Sequence, residues 1–289
     1  MHYDGLIIRP PSEADSILLQ VTTGCSHNKC TFCVAYKEKR FSIKKDAVIS
    51  GDIDYAAKHF RRMRRLFLCD GDALIIPQKR LLKILAEIRE KLPWVTRMGT
   101  YANAKSLKMK TLEELVELRE HGLGIAYLGL ESGDAETLKK VCKGVPPEAM
   151  IEQAQKCKKA GIRLSVTVLL GLGGPERSQE HARATGEVLT AMDPDYVGAL
   201  SLMICPGTPL YDEYERGDFK MIEPKEMLAE LGTMIANTEL TDGLFHANHA
   251  SNYLPIRARL PRDKEKTLAL ISDAIGGKVK LRPEWMRAL

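Results

Sequence analysis

The chain carries little excess charge of either sign, no apolar stretch long enough for a bilayer and no even-numbered cysteine framework, and each absence narrows its class. A net charge of +5 over 289 residues builds no strong field for nucleic acid, which is not expected as a partner. The one dense basic run, Arg61, Arg62, Arg64 and Arg65, reads as a solvated helix end, where cations meet a favourable macrodipole. The N-terminus, Met1 to Pro11, lacks the basic start and apolar core of a secretory signal. Tyr196 to Tyr211 is uncharged, but Pro206, Gly207 and Pro209 interrupt it and it falls short of the roughly 20 residues that span a membrane. No membrane partner is therefore expected. Seven cysteines, an odd number, fit a reducing, cytoplasmic location where thiols remain available to metal. There is no internal repeat, low-complexity segment or obvious linker.

What is present is ordinary globular material, 44% hydrophobic and 28% charged, in a length that suits one large domain. Short apolar runs alternate with helical periodicity. The expected strands are Ile17–Val21, Arg65–Cys69, Thr96–Thr100, Ile125–Leu130, Leu164–Leu170 and Val197–Met203. Between them lie helices such as the one whose apolar face is Leu81, Leu85, Ile88 and Leu92. Another opens on a Thr111/Glu114 capping box and stops at Gly122. A further one begins near Pro146 and Pro147 and stops at Gly161, and the next starts on Ser178 as N-cap. Regular alternation implies parallel strands with right-handed crossovers, so the fold class is α/β, a partial (β/α)6 TIM-like barrel. After about Tyr211 the pattern turns to helices without clear strands, Lys225 to Leu240 and Lys264 to Ile275, joined by the polar loop Phe245 to Tyr253. The expected division is a barrel core over residues 1–215 and a helical C-terminal extension over 216–289 packing on it.

The most informative segment follows the first strand and holds Cys25, Cys30 and Cys33 within nine residues. Three thiolates can hold three corners of a cubane iron–sulfur cluster and leave the fourth iron open, whereas the usual electron-transfer cluster takes four. A structural zinc site is the competing reading; it needs a fourth protein ligand, for which His27 is the nearby candidate. Buried thiols without metal are the third. In a parallel barrel the reactive groups gather where strands end. Here those ends carry the cysteines, then Asp70-Gly71-Asp72, then Tyr101-Ala102-Asn103, then Gly129-Leu130-Glu131-Ser132-Gly133, then Gly171-Leu172-Gly173-Gly174, then Cys205-Pro206-Gly207-Thr208-Pro209.

In that order these motifs resemble the radical S-adenosylmethionine superfamily from about Leu18 to Tyr211, and the later part resembles its branch related to oxygen-independent coproporphyrinogen oxidase. Four residues, Ser26 to Lys29, separate the first two cysteines where the family commonly has three. The resemblance implies a 4Fe-4S cluster on Cys25, Cys30 and Cys33, with S-adenosyl-L-methionine chelating the open iron and cleaved reductively to a 5′-deoxyadenosyl radical. It implies an acceptor for the ammonium of that cofactor in Asp70, Gly71 or Asp72, and Lys143 for its carboxylate. Glu131, followed by Ser132, would accept from the ribose, and Phe32, Gly171 and Met203 would border the adenine. An electron donor of flavodoxin or ferredoxin type and an unidentified substrate are the implied partners. A tetrapyrrole substrate rests on the branch resemblance alone.

On the substrate side, His246 and His249, three residues apart in a polar segment, are candidate proton donors or substrate contacts, with a polar connector as the other reading. Cys205 is placed to give a hydrogen atom to a substrate radical, or packs as a small hydrophobe. The glycines at 171, 173 and 174 precede a helix that could cradle an anion, but no Gly-Lys-Ser/Thr follows, so nucleoside triphosphate binding is not expected. Two other functions compete with the enzyme: a zinc-stabilised module holding RNA through the Arg61 to Arg65 run, and a plain electron carrier.

Overall fold

The structure is a computed structural model describing residues 1–288. The chain forms two compact units, the first made of Met1–Asn28, Ala35–Leu128 and Lys156–Leu164, the second of Lys29–Val34, Gly129–Gln155 and the chain from Ser165 onward.

In the first unit β1 (Ile17–Gln20) leads into a small antiparallel ladder of β2 (Thr22–Thr23) and β3 (Ser42–Ile43). Then follow α1 (Asp46–His59), β4 (Arg65–Cys69), α2 (Gln78–Lys91), β5 (Arg97–Ala102), α3 (Ala104–Lys108), α4 (Leu112–Glu120) and most of β6 (Leu123–Glu131), whose last residues belong to the second unit. β1, β4, β5 and β6 pair in parallel, with Ile17 opposite Leu66 and Leu66 opposite Met98. β4 is buried along Leu66 to Cys69 on both faces, as parallel strands flanked by helices are. The helices cover it with stripes at steps of three and four: Ile49, Ile53 and Ala56 on α1, and Leu81, Ile84, Leu85 and Ile88 on α2. The capping box is present, Thr111 Oγ1 accepting from Glu114 N at 3.2 Å and Glu114 Oε2 accepting from Thr111 N at 2.9 Å. Gly122 ends that helix at φ +102°, where a Cβ would meet the Met98 side chain at 2.6 Å. The arginine run lies beyond α1, not in its last turn: the helix ends at His59, and Arg65 is already the first residue of β4.

The second unit contains α5 (Ala135–Lys140), most of α6 (Pro147–Lys159), β7 (Arg163–Leu170), α7 (Gly174–Met192), β8 (Tyr196–Ser201), α8 (Pro209–Glu215), α9 (Pro224–Ala236), β9 (Gly243–His246), β10 (Arg257–Leu260) and α10 (Lys264–Ile275). β7, β8 and β9 run parallel, and β10 returns antiparallel to β9. α9 packs on α7 and α10.

All six expected strands are present, each within two residues of its expected bounds. Two further expectations change. α7 begins at Gly174, not after Ser178: Pro175 sits in the first turn, where its missing N–H costs nothing, and the Ser178 hydroxyl is spent on Glu230 at 2.6 Å instead of capping. The region after Tyr211 has both expected helices but also β9 and β10, so Phe245 and His246 stand on a strand and not in the loop.

Candidate active site

In the first unit, the end of β4 delivers Asp70, Gly71 and Asp72 beside Cys25. Gly71 N donates to Gly24 O at 3.1 Å. A Cβ on Gly71 would lie 3.0 Å from Cys25 Cβ and 2.9 Å from Tyr36 Cε2, so only glycine lets the acidic turn approach the cysteine this closely. Asp70 is fully buried: its Oδ2 accepts from Gly24 N and Gln20 Nε2, both at 3.2 Å, and meets Lys39 Nζ at 3.5 Å. Its Oδ1 is sealed from solvent without a hydrogen-bond partner among the described residues, the kind of acceptor that a ligand ammonium completes. Burial, then the Asp70 charge, holds the neighbouring Tyr36 phenol protonated far above its ordinary range. Asp72 is held by Ser26 Oγ at 2.5 Å and Ser106 Oγ at 2.7 Å. Burial pushes its carboxyl up to about 6 against those two hydrogen bonds and the Lys110 charge. Asp72 is thus committed to ordering its own surroundings, whereas Asp70 keeps an unmet acceptor. His27 contacts Lys105 through Nδ1 at 3.1 Å, on the side of α3.

In the second unit, β6 ends at Glu131, which adopts the left-handed conformation at φ +67° and pairs through Oε1 with Lys143 Nζ at 3.0 Å. A non-glycine residue there is uncommon, and here the turn sets the carboxylate against the lysine. Both side chains are mostly covered, at 12% and 18% exposure, so the pair sits in a medium where charge interactions are stronger than on an open surface. Ser132 faces inward, its Oγ 2.7 Å from His181 Nδ1 and accepting from Asp134 N at 3.0 Å. Gly171, at φ +83°, donates its N–H to Glu230 Oε1 at 2.6 Å, and a Cβ there would meet Met227 Cε at 3.1 Å. Its close approach is therefore toward α9. Phe32 packs against the apolar cluster of Val141, Leu172, Leu202 and Leu210. Met203, half-buried, accepts the Cys205 thiol on its carbonyl at 3.4 Å, and burial raises the Cys205 pKa.

His246 closes β9 and His249 follows it in the next turn, with Nδ1 2.9 Å from Ser251 Oγ. Burial lowers the pKa of both, helped by the charge of Arg257 on His246 and of Arg282 on His249. Both rings therefore hold a proton less readily than a free imidazole.

Cys25 belongs to the first unit, Cys30 and Cys33 to the second, where Cys33 N donates to Cys30 O at 3.4 Å and Thr31 is pinned by Thr31 N to Val141 O (3.0 Å) and Leu210 N to Thr31 O (3.1 Å). All three thiols are partly exposed and none is in a disulfide. Among the described residues no group of three or more His, Cys, Asp or Glu side chains is gathered tightly enough to hold a metal ion. The fit to an iron–sulfur cluster therefore rests on the chemistry of the donor set, three reduced, reachable thiols on one short segment, which is what such a cluster requires. The orphaned Asp70 oxygen is the matching observation for an ammonium-bearing cofactor.

Sequence reasoning did not single out Tyr36, Ser26, Ser106, His181 or Glu230. A signal existed for Glu230: it interrupts the apolar stripe Met227, Leu231, Met234 of α9 with a fully buried carboxylate. Among the described residues no helix is long and apolar enough to cross a membrane.

A family model described as the radical SAM superfamily matches residues 19–188. Across curated proteins, the chain is 22% identical over 281 residues to an uncharacterized protein of Methanocaldococcus jannaschii, covering 93% of this chain and 79% of that one. It is 27% identical over 118 residues to a tRNA uridine(34) acetyltransferase of Methanocaldococcus infernus, covering 40% of this chain and 22% of that protein. Among solved structures, the methyltransferase TsrM of Kitasatospora setae, with cobalamin and a 4Fe-4S cluster bound, superposes with a TM-score of 0.58 at 20% identity over 70% of this chain and 37% of its own. Coproporphyrinogen III oxidase (HemN) of Escherichia coli gives a TM-score of 0.56 at 15% identity over 76% of this chain and 51% of its own. The chain thus spans about half or less of these two structures, and the likeness gives the fold: α/β, of the partial TIM-like barrel class.

Proposed function

Because this chain belongs to the radical SAM superfamily, we propose that it is an enzyme whose Cys25, Cys30 and Cys33 hold a site-differentiated 4Fe-4S cluster and which cleaves S-adenosyl-L-methionine reductively to act on a substrate still to be identified. When bound, the cluster would supply the electron for reductive cleavage of the cofactor's sulfonium, and with it the radical chemistry that removes hydrogen from the substrate. The chain's own residues bind and orient. Asp70, with its buried and unmet Oδ1, receives the cofactor ammonium, while Asp72, clamped by Ser26 and Ser106, keeps the Gly71 turn in shape. Lys143 meets the cofactor carboxylate, and Glu131 accepts from the ribose hydroxyls; their mutual ion pair keeps both extended before the ligand arrives. The sequence positions of Phe32, Ser132, Gly171 and Met203 assign them to the nucleoside side; in the fold Ser132 and the Gly171 amide are engaged with His181 and Glu230, so they act by shaping the backbone. His246, His249 and Cys205 are assigned to the substrate, the histidines as proton carriers and the thiol as a hydrogen-atom donor. A flavodoxin- or ferredoxin-type donor in the cytoplasm supplies the electron.

The observation that carries this reading is the family match over residues 19–188, which contains the three thiols and the acidic turn. Anaerobic reconstitution tests it: four irons per chain, and 5′-deoxyadenosine on adding dithionite and the cofactor, are expected. Stoichiometric zinc, or a cluster that cycles reversibly without cleaving the cofactor, refutes it.

A further inference from the structure

The second unit contains a buried polar network that no cofactor contact explains. His181 on α7 is fully buried; its Nδ1 lies 2.7 Å from Ser132 Oγ and its Nε2 3.0 Å from Leu169 O and 3.4 Å from Glu230 Oε1. Glu230 on α9, also fully buried, accepts from Gly171 N at 2.6 Å on Oε1 and from Ser178 Oγ at 2.6 Å on Oε2. One imidazole and one carboxylate therefore fasten the ends of two strands: β6 through Ser132, next to Glu131, and β7 through Leu169 and Gly171.

A carboxylate in the interior of an apolar helix face is expensive unless each oxygen is satisfied, and here backbone N–H and hydroxyl donors satisfy it. Simple packing at this place is served better by leucine, which matches the Met227, Leu231 and Met234 stripe. What leucine cannot do is hold an amide. The Gly171 N–H has Glu230 as its acceptor, and at φ +83° the segment has no regular ladder to hold it. His181 completes the arrangement, its Nε2 set against Leu169 O and its Nδ1 against the Ser132 hydroxyl.

We propose that Glu230 and His181 are positioning residues for cofactor binding, Glu230 setting the backbone of the Gly171 turn and His181 the Glu131–Ser132 strand end. This rests on the reading of Glu131 and Gly171 as residues of the S-adenosyl-L-methionine site. Neither side chain touches the cofactor; each acts through the backbone that does.

The test compares Glu230→Leu with Glu230→Gln in anaerobically reconstituted enzyme, reading S-adenosyl-L-methionine affinity by equilibrium dialysis, iron content, and amide hydrogen exchange of the peptide over Gly171. Gln keeps an oxygen for Gly171 N–H, and its NH2 can donate to a Ser178 hydroxyl that reverses its role. Glu230→Leu is expected to weaken affinity at least tenfold, with iron content unchanged and faster exchange at Gly171, and Glu230→Gln to return within about threefold of the parent. Ser178→Ala, which removes only the Oε2 contact, gives a smaller loss and serves if Glu230→Leu does not fold. Parent-like affinity in Glu230→Leu, or in Ser178→Ala where that variant is used, overturns the inference alone. So does a Glu230→Gln no better than Leu. A parent enzyme with a full cluster that binds no S-adenosyl-L-methionine overturns the functional reading and this inference with it.

Discussion

Gly71→Ala adds one methyl group at the place where the acidic turn meets the first cysteine. The new Cβ would stand 2.9 Å from Tyr36 Cε2, 3.0 Å from Cys25 Cβ and 3.1 Å from Cys25 Cα, all inside normal carbon–carbon contact. Tyr36 is buried and cannot swing into solvent, so the Cys25 backbone must yield by several tenths of an ångström. Overpacking of this kind costs about 1–3 kcal/mol, which lowers the melting temperature by roughly 2–12 °C for a protein of this size class. The larger effect is expected on metal loading, because the displaced residue, Cys25, is one of the three thiols proposed to hold the cluster: iron per chain after anaerobic reconstitution should fall below half of the parent value. Gly51→Ala is the matched control. It lies in α1 with nothing within 4 Å of its Cβ, so alanine should raise stability by about 0.5–1 kcal/mol with iron content unchanged. A Gly71→Ala protein that loads iron like the parent and melts within a degree of it refutes the reasoning.

Asp72, with its carboxyl pushed up to about 6, is stabilised most when protonated, so its contribution is complete at low pH and lost as pH rises through 6. The difference in stability between the parent and Asp72→Asn should therefore shift against the parent by up to about 3 kcal/mol between pH 4 and 7; melts of the metal-free protein that track each other across that window exclude it. Glu131→Ala removes the proposed ribose acceptor and the partner of Lys143, and should weaken S-adenosyl-L-methionine affinity by about tenfold, as loss of a charge-assisted hydrogen bond does, while leaving iron content intact; unchanged affinity in equilibrium dialysis removes Glu131 from the site. Substituting alanine at both His246 and His249 should abolish product formation while 5′-deoxyadenosine release in its absence persists. In the parent, burial and the neighbouring arginines lower both pKa values, so the acid loss of activity should lie at lower pH than the titration of a free imidazole.

Much of the architecture was legible because its causes are local. Leu66 to Cys69 is an apolar run of strand length bounded by arginines and a polar turn, and nothing but a buried strand satisfies it. Thr111 and Glu114 cap α4 through bonds only three residues apart. The start of α7 was not legible, since Ser178 looks like a cap until Glu230, 52 residues away, claims its hydroxyl. β9 was missed for a related reason: four residues, Gly243–His246, carry too little pattern, and become a strand because Tyr196, Val197 and Gly198 of β8 are there to pair with them.

The candidate site divides along the same line. Cys25, Cys30 and Cys33 announce themselves by covalent spacing, and the Asp70-Gly71-Asp72 turn by its place after a strand. Which of two similar aspartates keeps an open acceptor is invisible in sequence: Ser26 and Ser106 saturate Asp72, while Asp70 is left with Oδ1 unmet, and that depends on donors from loops far apart in the chain.

By itself the sequence determined the alternation of strand and helix and the grouping of the three thiols, because these depend on periodicity and spacing within a few residues, while the family was legible only as a resemblance in the order of its motifs. Only the tertiary structure decided that Glu131 pairs with Lys143, that Gly171 is held by Glu230 and that Gly71 must be glycine. Those facts are distances between residues the chain brings together by burial, and a buried polar group takes whichever partner packing places within reach.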